Sequence, residues 1–217
     1  MNFRNFAITI ALTAASHAAL AGGFDGPFVQ AGAGLAHSKT DIRFAGWFDA
    51  KPGNDDFNGV IAGGYSKSFG QFNLALSGHY ILGHQNAGKT TQSYNAVDFE
   101  DVSMKLKHSW GVSFEPGINL SEKTLAYAKL GYGQTSGTWL LARHAVSDYH
   151  SGEPTFRGFS FGAGVKHKFT ANLYAFGEIQ QTNYRRKDVQ MTVLGVTYTD
   201  SFKPETLTAF AGIGYRF

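Results

Sequence analysis

The sequence predicts an all-β chain, an eight-stranded antiparallel up-and-down transmembrane β-barrel, on three observations. Apolar and polar residues alternate with period 2 through most of the chain, which is the pattern of strands whose two faces meet different surroundings. The stretches between those segments alternate between long and short, as they do in membrane barrels. No run reaches the ~18 apolar residues of a spanning helix, yet 19 Phe, 10 Tyr and 3 Trp stand beside 27 Gly and only 5 Pro. Aromatic residues suit strands and membrane interfaces, and glycine suits a tightly curved small barrel. A chain that crosses lipid in strands must also close on itself, because lipid gives an open edge no hydrogen-bond partner.

Taken in order, the first segment runs from about Phe28 to His37, with Val29, Ala31, Ala33 and Leu35 on one face. The second spans about Phe57 to Ser66. The third, Gln71 to Gly83, sets Phe72, Leu74, Leu76, Tyr80 and Leu82 against Asn73, Ser77 and His79. The fourth, Asp101 to Glu115, is the clearest: Val102, Met104, Leu106, His108, Trp110, Val112 and Phe114 on one face, and Ser103, Lys105, Lys107, Ser109, Gly111, Ser113 and Glu115 on the other. The fifth covers Leu125 to about Gln134. The sixth, about Arg157 to Lys168, sets Phe159, Phe161, Ala163 and Val165 against Ser160, Gly162, Gly164 and Lys166. The seventh covers Leu173 to about Thr182. The eighth, Glu205 to Phe217, sets Leu207, Ala209, Ala211, Ile213, Tyr215 and Phe217 against Thr206, Thr208, Phe210, Gly212, Gly214 and Arg216. The second, fifth and seventh have ambiguous phase.

Long polar loops are expected at 38–56, 84–100, 136–156 and 183–204, and short turns at 66–70, 116–124 and 169–172. The five prolines are expected at joints, since proline cannot donate to a ladder: Pro27 before the first strand, Pro52 and Pro154 in loops, Pro116 opening a turn, and Pro204 before the last strand. An even strand number puts both termini on the short-turn side.

The amino-terminus carries a targeting signal. Arg4 supplies a positive start, residues 7–15 form a short apolar core, and Ala19-Leu20-Ala21 fits an A-x-A cleavage site. Residues 1–21 are therefore expected to be a signal peptide and 22–217 a single barrel domain. There is no cysteine, so an exported chain of this kind holds together by ladders and burial rather than disulfides. A formal charge of +3 is too small to argue for nucleic acid.

A secreted soluble barrel would also have about eight strands, but with an apolar lumen and a polar outside. Here charges and small residues share one face and aromatics the other. Trp110, Phe114, Phe161, Ile213 and Tyr215 are therefore expected to face lipid, and Lys105, Lys107, Glu115, Lys129, Lys166, Glu178 and Arg216 to line the lumen. Eight strands leave a lumen only as wide as the side chains that fill it. An unpaired buried charge is costly, so these charges are expected to interlock as a plug; the alternative is a narrow ion path.

The cleavage site, the alternation of the third, fourth and eighth segments, the unit from Pro116 to Tyr132, and the ending Gly214-Tyr215-Arg216-Phe217 resemble the eight-stranded outer-membrane barrels of the OmpA/OmpX and opacity-protein type. The resemblance covers the whole mature chain. It implies the outer membrane of a Gram-negative cell, reached through the periplasm, and a monomer surrounded by outer-membrane lipids and lipopolysaccharide. It makes Tyr215 and Phe217 an assembly signal for the barrel assembly machinery. The family's known roles are structural anchoring, adhesion, invasion and small-enzyme chemistry. A structural role with adhesion or interaction through the loops, toward host or cell-surface ligands, is the expectation. The alternatives are a lipid A-modifying enzyme and a small pore or ligand-binding barrel.

No catalytic, cofactor or metal residue is assigned. His144, Ser147, Asp148, His150, Ser151 and Glu153 are the residue types of a hydrolase, but loops collect them, and a triad is defined by geometry. The lipid A deacylases pair His and Ser two apart in one strand, and no His-x-Ser occurs here. The separation of His144 and His150 matches no common zinc spacing. Arg185, Arg186 and Lys187 are candidates for contact with lipopolysaccharide phosphates, the alternative being a solvated loop tip. Trp47, Phe48, Trp139, Leu140 and Leu141 either mark a contact surface, pack the loops together or join the upper aromatic belt.

Overall fold

The computed structural model describes residues 23–44, 48–93, 99–143, 148–193 and 196–217. Eight long staves form the ring: β1 (Gly26–Phe44), β3 (Gly53–Phe69), β4 (Phe72–Leu82), β6 (Phe99–Asn119), β7 (Thr124–Arg143), β9 (Thr155–Lys168), β10 (Leu173–Tyr184) and β12 (Val196–Arg216). Each pairs antiparallel with the next, and β12 pairs with β1 over sixteen positions to close the barrel. Four short strands extend it at one end: β2 (Phe48–Ala50) on β1, β5 (His84–Ser93) on β6, β8 (Asp148–Gly152) on β7 and β11 (Lys187–Val193) on β12.

The register fixes the tilt. Cross-strand partners lead from Leu173 through Tyr215, Val29, Gly63, Gly78, Val112, Tyr132 and Phe159 to Asn183, which lies ten residues farther along β10. A stagger of that size on eight strands corresponds to a strand tilt of about 40°. On β12 the exposed face is apolar from Leu207 to Phe217. At about 3.4 Å per residue and that tilt, the apolar band is about 26 Å tall, matching a membrane's hydrocarbon layer.

At the turn end the connections are short, and both described termini lie there. Gly70 and Gln71 make a two-residue hairpin between paired Phe69 and Phe72, and Gly70 takes the positive φ (63°) such a turn needs. At the other end the staves continue. The stretches expected as long polar loops are largely strand: four ladder-paired hairpins rise beyond the apolar band. Composition misled because their facing is inverted. Inside the hairpin half sits an apolar cluster of Ile42, Ala87, Val102, Met104, Leu106, Trp139, Phe156, Tyr184 and Phe202, while His37, Lys39, Arg43, Lys105 and Arg157 are exposed outside. That half is built like a water-soluble barrel; the turn-end half is apolar outside and largely polar inside.

The clearest correction falls on the fourth segment. Between Lys107 and Trp110 the β6–β7 register shifts, with two residues on β6, His108 and Ser109, opposite the single Thr135 on β7. His108 is the extra residue, with a φ of 52°. A single inserted residue exchanges the two faces. Below it Ser109, Ser113 and Glu115 point in, and Trp110, Val112 and Phe114 point out. Above it Val102, Met104 and Leu106 point in, so Lys105 and Lys107 lie on the outer surface, not in the lumen. The prolines also depart from expectation: Pro27, Pro116 and Pro204 stand within β1, β6 and β12. Pro116 is tolerated because β6 pairs there with β4, whereas its register with β7 skips Glu115 and Pro116.

Candidate functional site: the barrel interior and its outer collar

Four of the charges expected in the lumen meet inside the turn-end half. Lys129 on β7 reaches Glu178 on β10, with Nζ 3.0 Å from Oε1 and side chains only 2% and 5% exposed. Lys166 on β9 reaches Glu115 on β6 at 3.2 Å, both 4% exposed. Each pair skips one stave, β9 in the first case and β7 in the second, so the bonds cut across the lumen rather than along its wall. The remaining acceptor sites are filled. Tyr127 donates its hydroxyl to Glu178 Oε2 at 2.9 Å, and Ser77 donates to Glu115 Oε1 at 2.5 Å. Lys166 also lies 4.3 Å from the centroid of the Phe28 ring and 4.7 Å from that of Tyr127.

Apolar side chains close the lumen on both sides of these pairs. Toward the turns lie Phe24, Leu125 and Tyr174, and Tyr174 donates its hydroxyl to Gln30 at 3.1 Å. The cavity at this mouth, between Phe24, Lys166 and Arg216, measures about 10 Å³, room for about one water. Arg216 is on the inward face but outside the ion-pair network. Its guanidinium donates to the carbonyls of Asp25 at 3.0 Å and Ala171 at 2.9 Å, tying the last stave to both rims of the turn end. Asp25 is partly buried, which opposes its ionisation, but bonds from Lys67 and Ser68 hold its pKa below the ordinary value.

Outside, cations collect just above the apolar band. Arg185 lies 6.0 Å from the Phe159 ring, and Lys187 is exposed. Arg186 is instead engaged within the protein, 3.2 Å from Asp41, with its side chain 26% exposed. Burial works against ionisation of Asp41, yet Arg186, with Lys51 and Arg43 behind it, holds its pKa below the ordinary value. Lys39 and Lys203 share Glu205, each at 3.1 Å. Lys105, Lys107 and Arg157 continue the collar around the barrel. Period 2 carried through the fourth segment puts Lys105 and Lys107 in the lumen, and the local hint of the bulge is a polar His108 in the apolar series Val102, Met104, Leu106, His108, Trp110. Trp139 belongs to the inner cluster, stacked on Phe202 at 6.2 Å, and its neighbour Leu140 is exposed. Tyr215 and Phe217 stand on the outer face in edge-to-face contact at 5.1 Å.

His144 and Ser147 lie outside the described residues, as do the side chains of Asp148 and His150. So do Trp47, the side chains of Phe48 and Leu141, and the expected signal peptide. Ser151 and Glu153 are exposed. Among the described residues, no three His, Asp or Glu converge as a metal site.

A family profile described as "outer membrane protein beta-barrel domain" matches residues 7–217. Among curated proteins, no sequence matches the chain. Solved structures do. The outer membrane protein OprG of Pseudomonas aeruginosa is 12% identical over 90% of this chain and 98% of its own, with a TM-score of 0.55. The outer membrane protease OmpT of Escherichia coli is 11% identical over 89% and 97%, with a TM-score of 0.51. Ail, the attachment invasion locus protein of Yersinia pestis, is 14% identical over 88% and 99%, with a TM-score of 0.43. At these identities the likeness to OprG and OmpT is one of fold.

Proposed function

Since the chain belongs to the outer membrane protein beta-barrel domain family, we propose that it is a structural outer-membrane barrel that holds a rigid interaction platform above the outer leaflet, without catalysis or conduction. The observation that carries this reading is the inversion along the staves. The turn-end half suits lipid: exposed Phe72, Leu76, Phe161 and Ile213 outside, paired charges within. The hairpin half suits water: charged outside, apolar within. On β12 the hairpin half adds about 26 Å beyond the band. Rigid, ladder-paired hairpins present a constant surface, which favours adhesion or partner binding over a mobile gate. The packed lumen favours a plug over a pore.

In this reading residues 1–21 deliver the chain to the periplasm, the barrel assembly machinery recognises the Tyr215–Phe217 aromatic pair, and the barrel works as a monomer. Lipopolysaccharide phosphates meet the collar, with Arg185 and Lys187 among the contacts and Arg186 supporting them from its bond to Asp41.

The chain has no cysteine, so single cysteines report topology cleanly. Lys187→Cys and Asp55→Cys should react with a membrane-impermeant maleimide on intact cells, and Glu122→Cys only after the outer membrane is opened. The reverse pattern would place the hairpins in the periplasm and end the platform reading.

A further inference from the structure

The outer wall carries a hollow. It measures about 730 Å³ and crosses β1, β3, β4 and β6, reaching β12 and the start of β10. Ile61, Tyr80 and Trp110 form its upper wall as cross-strand neighbours; Tyr215, Val29 and Val112 form the row below. In that lower row Gly63 and Gly78 stand directly opposite each other, so two adjacent staves expose bare backbone. The rows are two residues apart, about 6.8 Å, and six strands about 4.8 Å apart give a run of about 24 Å. At a tilt of about 40° that run climbs about 15 Å from the turn-end rim at Leu173, and the upper row adds about 5 Å, so the end at Tyr80 and Trp110 reaches the hairpin-side leaflet of a hydrocarbon core of about 30 Å.

The upper end of the hollow is cationic. The β6 bulge turns His108 to the outer surface, where its Nδ1 lies 3.0 Å from the Tyr80 hydroxyl. A non-glycine residue held at positive φ is strained, and bulges commonly re-aim a side chain at a site of use. Lys107 precedes it. Arg157 lies in the same cross-strand row as Trp110, one stave beyond Gln134, to whose Oε1 it donates at 2.9 Å. Neither Lys107 nor Arg157 forms an ion pair among the described residues.

We infer that the hollow binds one phosphorylated lipid of the leaflet at the hairpin end. One acyl chain lies along the hollow over the Gly63–Gly78 pair, and the phosphate meets Lys107, His108 and Arg157. A strip this narrow and inclined accepts a methylene chain rather than a flat protein surface. Arginine pairs with phosphate through two parallel N–H donors. The site rests on the platform reading in one respect only, that the hairpin end faces the outer leaflet.

The test uses the refolded full chain in detergent and native mass spectrometry with three added lipids: bisphosphorylated lipid A, its dephosphorylated form and phosphatidylcholine. Gly78→Leu fills the hollow, and the wall tolerates it, because a Cβ there meets only the Gly111 carbonyl oxygen at 3.8 Å. Gly177→Leu adds the same bulk to the outer wall away from the hollow, where a Cβ meets nothing within 4 Å. The wild type and Gly177→Leu should retain bisphosphorylated lipid A. Gly78→Leu and the double variant Lys107→Ser/Arg157→Ser should lose about tenfold or more of that retention, and the wild type should hold dephosphorylated lipid A, which has no phosphate, and phosphatidylcholine, whose phosphate is offset by its choline cation, no better than the double variant holds bisphosphorylated lipid A. Equal retention by Gly78→Leu and Gly177→Leu, or phosphatidylcholine bound as well as lipid A, overturns the site. If Gly78→Leu fails to show the mobility of a folded barrel, the double variant decides: wild-type retention there refutes the site. Detergent binding has no inside or outside, so failure here leaves the platform reading standing, and cysteine labelling in cells tests that reading separately.

Discussion

Replacing Lys129 with methionine should strand a charge in the membrane half of the barrel. Lys129 and Glu178 are 2% and 5% exposed, and their contact is 3.0 Å. In Lys129→Met the carboxylate keeps only the Tyr127 hydroxyl at 2.9 Å. Losing one partner of a buried pair costs about 3–5 kcal/mol, because the survivor remains desolvated without compensation. The double variant Lys129→Met/Glu178→Gln leaves no charge and keeps an acceptor for Tyr127. It should sit within about 2 kcal/mol of wild type, giving a coupling energy of about 2 kcal/mol or more. An exposed pair sets the baseline: Lys39, half exposed and 3.1 Å from Glu205, should lose at most about 1 kcal/mol as Lys39→Ala. Equilibrium urea unfolding in lipid vesicles, followed by tryptophan fluorescence and by gel mobility, measures the wild type, both single variants Lys129→Met and Glu178→Gln, their double and Lys39→Ala on a common slope. A loss below about 1 kcal/mol in Lys129→Met, or single losses that simply add in the double, would mean that water reaches these groups. The plug argument would then fail, and a conducting lumen would become the better reading.

Three further outcomes follow from the same geometry. Deleting His108 should prevent assembly of a heat-modifiable barrel, since one-to-one pairing of β6 with β7 forces either Met104 outward or Glu115 into lipid; His108→Gly keeps the bulge, relieves the positive φ and should match or exceed wild-type stability by up to about 1 kcal/mol in urea. Asp41 binds its proton less readily folded than its ordinary value of 3.8 would allow, so its contribution is complete above that value and is lost as pH falls through its lower folded pKa; Arg186→Gln should move the Asp41 titration upward in carboxyl-resolved NMR, and no movement would refute the pairing. Refolded protein in planar bilayers should show no stable open conductance, and a steady current would sink the plug.

Much of the membrane half was legible because lipid imposes a strict local rule. Every outward residue on β12 from Leu207 to Phe217 must be apolar or small, and every inward one must fit a lumen packed with side chains; period 2 carries that directly into the sequence. The same rule placed Glu115, Lys129, Lys166 and Glu178 among the candidates for the interior, although not who meets whom. Their partners lie two staves apart, on strands separated by about fifty residues, and only the closed ring brings them within reach.

What the sequence determined by itself is the alternation, the number of staves and the side of the short turns, since each depends on neighbours along the chain. The tertiary structure decided the rest. Alternation defines two faces but carries no label for inside, and the label reverses wherever the surroundings change from lipid to water, which is why the hairpins read as loops and Trp139 as a loop aromatic. It reverses again at one residue on β6, where His108 faces a gap in the β7 ladder. A bulge is a mismatch between two strands; it is a property of the pair, and no single segment records it.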